Sequence, residues 1–183
     1  AIGYYGTSLS SEFTENSPGG KDFLSNLCKK WEAVAAEKPF FSRLVIFRIG
    51  IVLEKDGGAL GKMLPIFKVG LGGPIGDGKQ WMSWIHRTDL CALITQALVD
   101  KKYSGVFNAV APNPVLMKEF SQTLGKCLNR PNLLPVPGAV LKILLGDGAK
   151  VVLEGQKVIS SKIKNYNFKY PLLEKAIYAS TKN

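Results

Sequence analysis

The sequence predicts an α/β fold built on a parallel β-sheet. Segments with strand-like and helix-like patterns alternate through the N-terminal half of the chain, as in βαβ units. Residues 44–49 (LVIFRI) form a continuous apolar run with a single arginine, which is typical of a strand covered on both faces. The chain has 183 residues, enough to bury a substantial core.

The first elements follow from local patterns. Residues 1–6 (AIGYYG) are apolar and aromatic, and we predict the end of a buried strand there, followed by a loop at residues 7–20. Residues 21–37 predict an amphipathic helix. The apolar stripe of that helix is Phe23, Leu27, Trp31, Val34 and Ala35. The strand at residues 44–49 is followed by residues 50–53 and then by a turn, and a helix interrupted or kinked near Pro65 is predicted over residues 59–69.

Residues 70–90 (GLGGPIGDGKQWMSWIHRTDL) form the most unusual stretch. Glycines without a Cβ allow the backbone to approach a ligand closely, and the stretch then adds two tryptophans and the single histidine. Thr88 and Asp89 open a helix that we predict to residue 99. Two interpretations stay open: one side of a ligand pocket, or a surface loop whose tryptophans cover the core.

The remaining elements are predicted from apolar spacing and from glycine and proline positions. In chain order they are a strand at 105–110, a helix at 114–128, an edge strand at 133–136, helices at 137–145 and 149–158, a strand-like segment at 167–170 and a helix from 171. A dinucleotide-binding sheet normally begins with strand, G-x-G-x-x-G and helix. The sequence has no such motif, and we therefore predict that it forms the second half of a doubly wound sheet.

Charge and cysteines limit the choice of partners. The formal net charge of +10 favours anions, either the phosphates of a nucleotide ligand or an acidic protein partner. Nucleic acid is not expected, because the basic residues are scattered and no basic-aromatic motif occurs. Cys28, Cys91 and Cys127 are widely spaced, so we expect free thiols in an intracellular reducing compartment and no metal site. No run suggests a membrane span or a signal peptide.

Several segments together resemble one known family. They are AIGYYG, SPGGKDFLSNLCKKWEA, RIGIVLEKDGGALGKMLPIFKVGLGGPIGDGKQWMSWIH, FNAVAPNPV and VVLEGQKVI. In this order they resemble the atypical, extended-type short-chain dehydrogenase/reductases of the NAD(P)-dependent epimerase family. The resemblance implies the C-terminal part of a Rossmann-like sheet at residues 1–53, and a small mixed α/β substrate lobe at 54–183 whose region 83–110 returns to the sheet. It also implies that the chain is a fragment of such a protein.

The resemblance identifies a departure at the proton-transfer pair. The family carries Tyr-x-x-x-Lys on the helix after the YG loop, where the tyrosine is the general acid/base. With Glu32 as the anchor, these positions fall on Leu24 and Cys28, and a shift of one residue gives Phe23 and Leu27. None of these can transfer a proton as the pair does. Tyr5 and His86 are the weak catalytic candidates that remain.

The resemblance also implies binding residues. Gly50 and Ile51 are the expected backbone contacts of the cofactor, with Tyr4 beside them; the cofactor is NADP, with NAD as the alternative. The expected substrate residues are Gly73, Gln80, Trp84 and His86. Arg48 is expected to pair with a carboxylate or carbonyl inside the domain, and Asp89 to favour the start of its helix.

Two functions therefore compete. The first is an NADP-dependent oxidoreductase or epimerase-like enzyme of unknown small-molecule substrate, with catalysis in doubt. The second is a non-catalytic dinucleotide-binding regulatory or scaffold protein. A homo-oligomer or an acidic partner is expected in either case, and the compartment is expected to be the cytoplasm, the mitochondrion or the plastid.

Overall fold

The computed structural model describes residues 1–37, 43–132, 154–163 and 165–182. After a 3₁₀ turn at Ile2–Tyr5, the helices are α1 Phe23–Ala36, α2 Gly58–Lys68, α3 Arg87–Val99, α4 Met117–Cys127 and α5 Leu173–Lys182. The strands are β1 Glu12–Phe13, β2 Val45–Ile49, β3 Ile51–Leu53, β4 Trp81–Met82, β5 Trp84–His86, β6 Gly105–Ala109, β7 Val115–Leu116 and β8 Lys157–Val158.

Parallel pairing confirms the predicted α/β class. β2 pairs in parallel with β6, β3 with β5, and β1 with β8, whereas β4 and β7 are antiparallel. α3 connects β5 to β6, and α1 precedes β2, so helices and parallel strands alternate as βαβ units require.

Gly50 is the point where one extended segment changes its partner strand. The N–H of Gly50 donates to Ala109 O at 3.1 Å, on the β6 side, and the N–H of Ile51 donates to Ser83 O at 2.9 Å, beside β5. A Cβ on Gly50 would lie 2.6 Å from Ser83 O and 2.9 Å from Val110 Cγ1. Only glycine lets the two strand pairs meet this closely.

The buried side chains form three clusters. The largest lies among α2, α4, α5 and the short strands around Trp84. A second, which includes Leu93 and Phe107, joins α3 to the β2–β6 pair. The third holds the 3₁₀ turn through Ile2 and Tyr5. Burial of such side chains contributes roughly 1.5–3 kcal/mol each, so these clusters hold the strand ends in place.

Several local predictions were wrong. Residues 1–6 form a 3₁₀ turn rather than a strand, because the N–H groups of Tyr4 and Gly6 donate back to Ala1 O and Gly3 O. The predicted loop at 7–20 contains β1, and its partner β8 lies where a helix was predicted. Residues 167–170 form no strand. The elements predicted at 133–136 and 137–145, and the first half of the one at 149–158, lie outside the described residues.

The apolar stripe of α1 was also predicted wrongly. Phe23, Trp31 and Val34 are 76%, 61% and 57% exposed, whereas Ser25 and Cys28 are buried. Ser25 is buried because its hydroxyl donates to Gly3 O and its N–H donates to the N-cap carboxylate of Asp22. These hydrogen bonds, rather than the widest apolar stripe, determine which face of α1 packs against the 3₁₀ turn. The predicted boundary at residue 53, between the Rossmann-like part and the substrate lobe, stays a prediction.

Candidate functional site

A cavity of about 690 Å³ lies at the point where β2 passes into β3. Its lining residues come from six separate segments of the chain. They are Ala1, Ile2, Gly3, Gly6, Thr7, Asp22, Leu24, Leu27, Cys28, Trp31, Ile49, Gly50, Ile51, Val52, Gly58, Ala59, Lys62, Trp81, Ser83, Glu154 and Gln156. Its volume is in the range of small-molecule sites, and the carboxyl ends of parallel strands are where α/β sheets bind ligands.

Two helices contribute to the walls of the cavity. α1 supplies Leu24 and Cys28, one helical turn apart and therefore on one face. α2 supplies its first turn, where Gly58 has a φ of +59° that a side-chain-bearing residue rarely adopts. The N-cap residue of α2 is Gly57, which has no side chain, so no side-chain hydrogen bond caps this end of the helix.

Two polar side chains of the cavity wall, those of Ser83 and Gln156, are engaged in hydrogen bonds within the protein. Ser83 Oγ donates to Gln156 O at 2.9 Å and accepts from the Val158 N–H at 2.8 Å. The amide of Gln156 donates to Ile2 O at 3.0 Å. These bonds tie the segment around residue 156 to the 3₁₀ turn and to the end of β4, so they fix the shape of the wall.

A buried network lies beside the cavity and holds the 3₁₀ turn. Arg48, 4% exposed, makes two hydrogen bonds with the Glu32 carboxylate at 2.9 and 2.7 Å, and its Nη1 donates to Tyr5 Oη at 2.9 Å. The Tyr5 hydroxyl donates to Asn108 Oδ1 at 2.6 Å. The guanidinium also stacks on Tyr4, with 3.3 Å between Cζ and the ring centroid.

This network shifts two pKa values upward. Burial raises the pKa of Tyr5 above its usual value, although the hydrogen bonds with Arg48 and Asn108 act in the opposite direction. Burial alone would lower the pKa of Arg48, but the bonds with Glu32 and Tyr5 outweigh it and raise that pKa. Tyr5 is therefore a neutral hydroxyl at neutral pH and a poor proton acceptor. The prediction that Arg48 pairs with a carboxylate inside the domain is confirmed.

A second carboxylate closes the far end of the network. Glu15 accepts from the Asn108 N–H at 3.0 Å, from Ser160 Oγ, and from both the N–H and the hydroxyl of Ser161 at 2.8 Å. Burial alone would raise the pKa of Glu15, but these four hydrogen bonds together hold it below its usual value. The sequence offered no signal for this role, since Glu15 lies in a predicted loop.

The predicted cofactor residues fall in two groups. Gly50 and Ile51 line the cavity, as do Leu24 and Cys28, the positions to which the resemblance assigned the Tyr and Lys of the proton-transfer pair. Tyr4 and Tyr5 do not line it. Tyr4 stacks on Arg48, and Tyr5 is held by Arg48 and Asn108.

The four predicted substrate residues lie outside the cavity lining. Gly73 is buried, and Gln80 is 4% exposed and donates to Ile75 O at 3.1 Å. Trp84 is fully buried in the largest core cluster, with its indole N–H donating to Asn113 O. Their role as substrate residues stays a prediction, but the structure gives each residue a packing role, as the alternative interpretation of this stretch expects.

His86 caps α3. Its Nδ1 accepts from the Thr88 N–H at 3.1 Å, and its ring lies 4.1 Å from that of Tyr170, centroid to centroid. Burial lowers the pKa of His86, against the opposing effect of Asp89 and Glu54. Asp89 does more than favour the helix start, because its carboxylate also accepts from the N–H groups of Lys169 and Tyr170 at 2.7 and 3.0 Å.

Metal and membrane features are absent from the described part of the chain. Residues 1–37, 43–132, 154–163 and 165–182 contain no group of three or more His, Cys, Asp or Glu side chains placed to hold a metal ion. Within those same ranges no helix is long and apolar enough to cross a bilayer. Cys28, Cys91 and Cys127 are free thiols, as predicted.

Comparison with known proteins adds to this geometry. Residues 136–179 match the family described as "Domain of unknown function (DUF1731)". The chain is 51% identical over 181 residues to the epimerase family protein SDR39U1 homolog, chloroplastic, of Arabidopsis thaliana, covering 98% of this chain and 52% of the relative. It thus spans about half the length of that protein.

Solved structures show the same fold. The human epimerase family protein SDR39U1 (isoform 2) with NADPH superposes with a TM-score of 0.90 at 44% identity, over 98% of this chain and 62% of that one. The nucleoside-diphosphate sugar epimerase from Corynebacterium glutamicum superposes with a TM-score of 0.71 at 33% identity, over 97% and 35%.

Parallel strand pairs with a cavity at the carboxyl end of β2, together with these superpositions, define a Rossmann-type α/β protein of the short-chain dehydrogenase/reductase kind. More particularly, the chain resembles the C-terminal part of the proteins of the NAD(P)-dependent epimerase family. The resemblance seen in the sequence is confirmed.

Proposed function

We propose that this protein binds NADPH at the cavity and is an oxidoreductase or epimerase-like protein whose catalysis is weak. The observation that carries the proposal is that Gly50 and Ile51 line one cavity together with Leu24 and Cys28. The human relative was crystallised with NADPH, which supports the choice of cofactor. When bound, NADPH supplies a hydride.

The cavity suits a flat ring placed against backbone. Ile51 is half-buried, and Gly50 has no side chain at the point where the segment changes its partner strand. Leu24 and Cys28 offer apolar contact from α1 rather than a proton or a positive charge. Because a positioned acid/base contributes roughly 10²–10⁴-fold, the protein lacks a large part of the family's rate enhancement.

Cofactor binding is tested by the fluorescence of NADPH on titration with the protein. We expect saturable binding, weakened at least tenfold by Leu24→Trp, since the indole would occupy cavity space. Phe23→Trp is the matched control: it introduces the same tryptophan one residue away, at a side chain that is 76% exposed and outside the cavity lining. Equal affinity of both variants would refute the site, and no binding by the unaltered protein would refute the proposal.

Catalysis is tested by restoring the missing pair. The double variant Leu24→Tyr/Cys28→Lys places the tyrosine and the lysine on the cavity face of α1, and we expect it to raise NADPH-dependent reduction of a carbonyl panel by about 10²-fold or more. Phe23→Tyr/Leu27→Lys is the control in the shifted register, because Phe23 points away from the cavity. Circular dichroism checks that both variants fold. If neither pair raises turnover, the acid/base assignment is wrong.

The alternative function, a non-catalytic dinucleotide-binding regulatory or scaffold protein, is favoured by the same Leu24 and Cys28. It predicts NADPH binding, no turnover by the unaltered protein, and co-purification of an acidic partner suited to the net charge of +10. A homo-oligomer is the other assembly that we propose, and light scattering measures it directly.

We also propose a reducing compartment. The three free cysteines support it, and the name of the Arabidopsis relative supports the plastid in particular. Rapid alkylation in cell extract, followed by mass spectrometry, would find all three thiols reduced. A disulfide in freshly extracted protein would contradict this assignment.

A further inference from the structure

The outer face of α3 carries apolar side chains that are open to solvent. Ile94, Leu98 and Val99 are 38%, 74% and 78% exposed. Residues 90–99 contain no charged side chain, whereas 21% of the whole chain is charged. A surface helix normally turns charged or polar side chains to water, and a helix that is apolar on several faces is usually covered. This face of α3 is therefore a candidate for contact with a partner.

Four cationic side chains lie at the C-terminal end of the same helix. They form what we call the basic end: Arg43, Lys101, Lys102 and Lys162. The two lysines of the turn after α3 are exposed. The guanidinium of Arg43 lies against the last turn of α3, where it donates to Ala97 O at 2.7 Å. The ammonium of Lys162 lies at the start of β6, where it donates to Val106 O at 2.8 Å.

The positive charge of the basic end is largely uncompensated. The carbonyl oxygens that accept from Arg43 and Lys162 satisfy hydrogen bonds without carrying a negative charge. Among the described residues, none of the four cations forms an ion pair with a carboxylate. Asp100 is the one acidic residue between positions 90 and 110, and its carboxylate accepts from the Lys102 N–H at 2.9 Å. The basic end therefore favours anionic groups of a partner.

We propose that the apolar face of α3, together with the basic end, binds an acidic amphipathic helix of a partner protein. Ile94 and Leu98 are four residues apart on one face, which suits the packing of a second helix across them. Carboxylates of that helix would then meet the basic end. The inference names the surface for the acidic partner of the alternative function, and in that respect it rests on that function.

This surface is separate from the cavity. Gly105, the first residue of β6, pairs with Val45, the first residue of β2, so the basic end lies where both strands begin. The cavity lies where β2 ends, at Ile49 and Gly50. A partner on α3 and a cofactor in the cavity would thus contact opposite ends of the same strands.

The chemistry of the surface disfavours two other occupants. A second copy of the chain carries the same net charge of +10, and like charges brought together at an interface are costly. Helices that lie on lipid usually insert tryptophan or phenylalanine, whereas the exposed apolar side chains of α3 are aliphatic. An acidic helix with aliphatic anchors complements both the apolar face and the basic end.

A synthetic peptide tests the charge preference. The probe is a fluorescein-labelled helix of about 20 residues, long enough to be helical, with leucines along one stripe and glutamates on the remaining faces. We expect a saturable rise in fluorescence anisotropy, with affinity falling at least tenfold as ionic strength rises from about 0.01 to about 0.15 M. The same peptide with lysine in place of every glutamate is the control ligand, and it should bind at least tenfold more weakly.

Leu98→Gln tests the apolar part of the surface. Glutamine is a good helix former and the side chain it replaces is 74% exposed, so the variant should fold, which circular dichroism checks. We expect the affinity for the acidic peptide to fall about tenfold. Leu71→Gln, at a side chain that is 64% exposed and lies in the loop after α2, is the matched control and should bind as the unaltered protein does.

Lys101→Glu/Lys102→Glu tests the basic end. Reversing both charges should weaken binding of the acidic peptide at least tenfold and reduce its dependence on salt. Lys30→Glu/Lys68→Glu changes the net charge by the same amount at two exposed lysines away from α3, and it is the matched control. If both double variants lose affinity equally, net charge rather than this surface binds the peptide, and the inference is wrong.

Other outcomes would also overturn the inference. They are failure of the acidic peptide to bind, equal affinity of Leu98→Gln and Leu71→Gln, or a dimer in light scattering that Leu98→Gln dissociates. Sedimentation with vesicles of equal parts phosphatidylcholine and phosphatidylglycerol, lost in Leu98→Gln while the peptide does not bind, would assign the surface to lipid instead. NADPH titration separates this inference from the proposed function. Peptide binding without NADPH binding would uphold the surface and overturn the cofactor proposal, and the reverse result would overturn the surface alone.

Discussion

The ion pair between Arg48 and Glu32 is the interaction of the site region that a single substitution tests most sharply. Glu32→Ala leaves the guanidinium of Arg48, whose side chain is 5% exposed, without its two carboxylate contacts. Tyr5 Oη and the ring of Tyr4 remain as its contacts. A buried charge that loses its partner is costly, because its lost hydrogen bonds are at most partly replaced by water.

The magnitude follows from burial. Removing one partner of a fully buried pair costs roughly 3–5 kcal/mol. The side chain of Glu32 is 17% exposed and water can enter once it is removed, so we expect about 3 kcal/mol, the lower end of that range. Glu32→Gln, which keeps the shape and one acceptor oxygen, should cost about half as much.

Urea unfolding followed by far-ultraviolet circular dichroism measures this loss. With a typical dependence of about 2 kcal/mol per molar urea, the midpoint should fall by about 1.5 M in Glu32→Ala. The control is Glu174→Ala, which breaks the pair with Lys126 where both side chains are more than half exposed, and it should cost under about 1 kcal/mol. A loss in Glu32→Ala no larger than that of the control would refute the reasoning.

Three further predictions use the same assay. Gly50→Ala should cost about 1–3 kcal/mol, because its Cβ would lie 2.6 Å from Ser83 O, whereas Gly57→Ala, with nothing within 4 Å and an extended φ of −170°, should change little. The pKa of Glu15 is lowered in the folded protein, so the contribution of its carboxylate to stability is present above the usual pKa of 4.5 and is lost as the pH falls through the lower folded value. The difference in unfolding free energy between the unaltered protein and Glu15→Gln should therefore shrink below about pH 4.5. A constant difference down to pH 3 would contradict this. His86→Ala should cost about 1 kcal/mol, and His86→Asn, which can still cap α3, should cost less without altering turnover; equal losses would rule out the cap.

Local patterns identified those elements whose structure depends on near neighbours. α2 and α3 were predicted to within two residues, and β2 was predicted from its apolar run. Arg48 was expected to find a partner inside the domain because an unpaired charge in a buried strand is too costly. Its partner Glu32 is 16 residues away, on α1, and lies within reach because α1 packs beside β2.

The histidine and tryptophan of β5 show the limit of such patterns. Trp84 and His86 alternate along a strand with Ile85 between them, and the sequence does not show that both faces of this strand are covered. Trp84 is covered by the largest core cluster and His86 by Tyr170, from the C-terminal segment. The resulting burial removes both from the cavity, although residue type alone makes them attractive as pocket residues.

Trp31 and Trp81 both line the cavity, but the sequence did not bring them together. Trp31 was assigned to the apolar stripe of its helix, and Trp81 belonged to the 70–90 stretch, for which a pocket wall and a surface loop both stayed open. They are brought to one cavity by the packing of α1 on the 3₁₀ turn and by the hydrogen bond from Trp81 Nε1 to Leu9 O, which spans 72 residues. A contact of that separation is not encoded in any local pattern, so the cavity could not be assembled from the sequence alone.

The positions of Leu24 and Cys28 bear on the register that the sequence left open. Two residues four apart on a helix share a face, so a register is consistent with a cofactor site only if both of its members line the cavity. Leu24 and Cys28 both line it. In the shifted register Leu27 lines it, but Phe23 is 76% exposed and lies outside the lining. The geometry thus favours the alignment anchored on Glu32, the residue that pairs with Arg48. At the cofactor site that we propose, the proton-transfer positions are therefore those of Leu24 and Cys28, and the double variant Leu24→Tyr/Cys28→Lys tests this assignment.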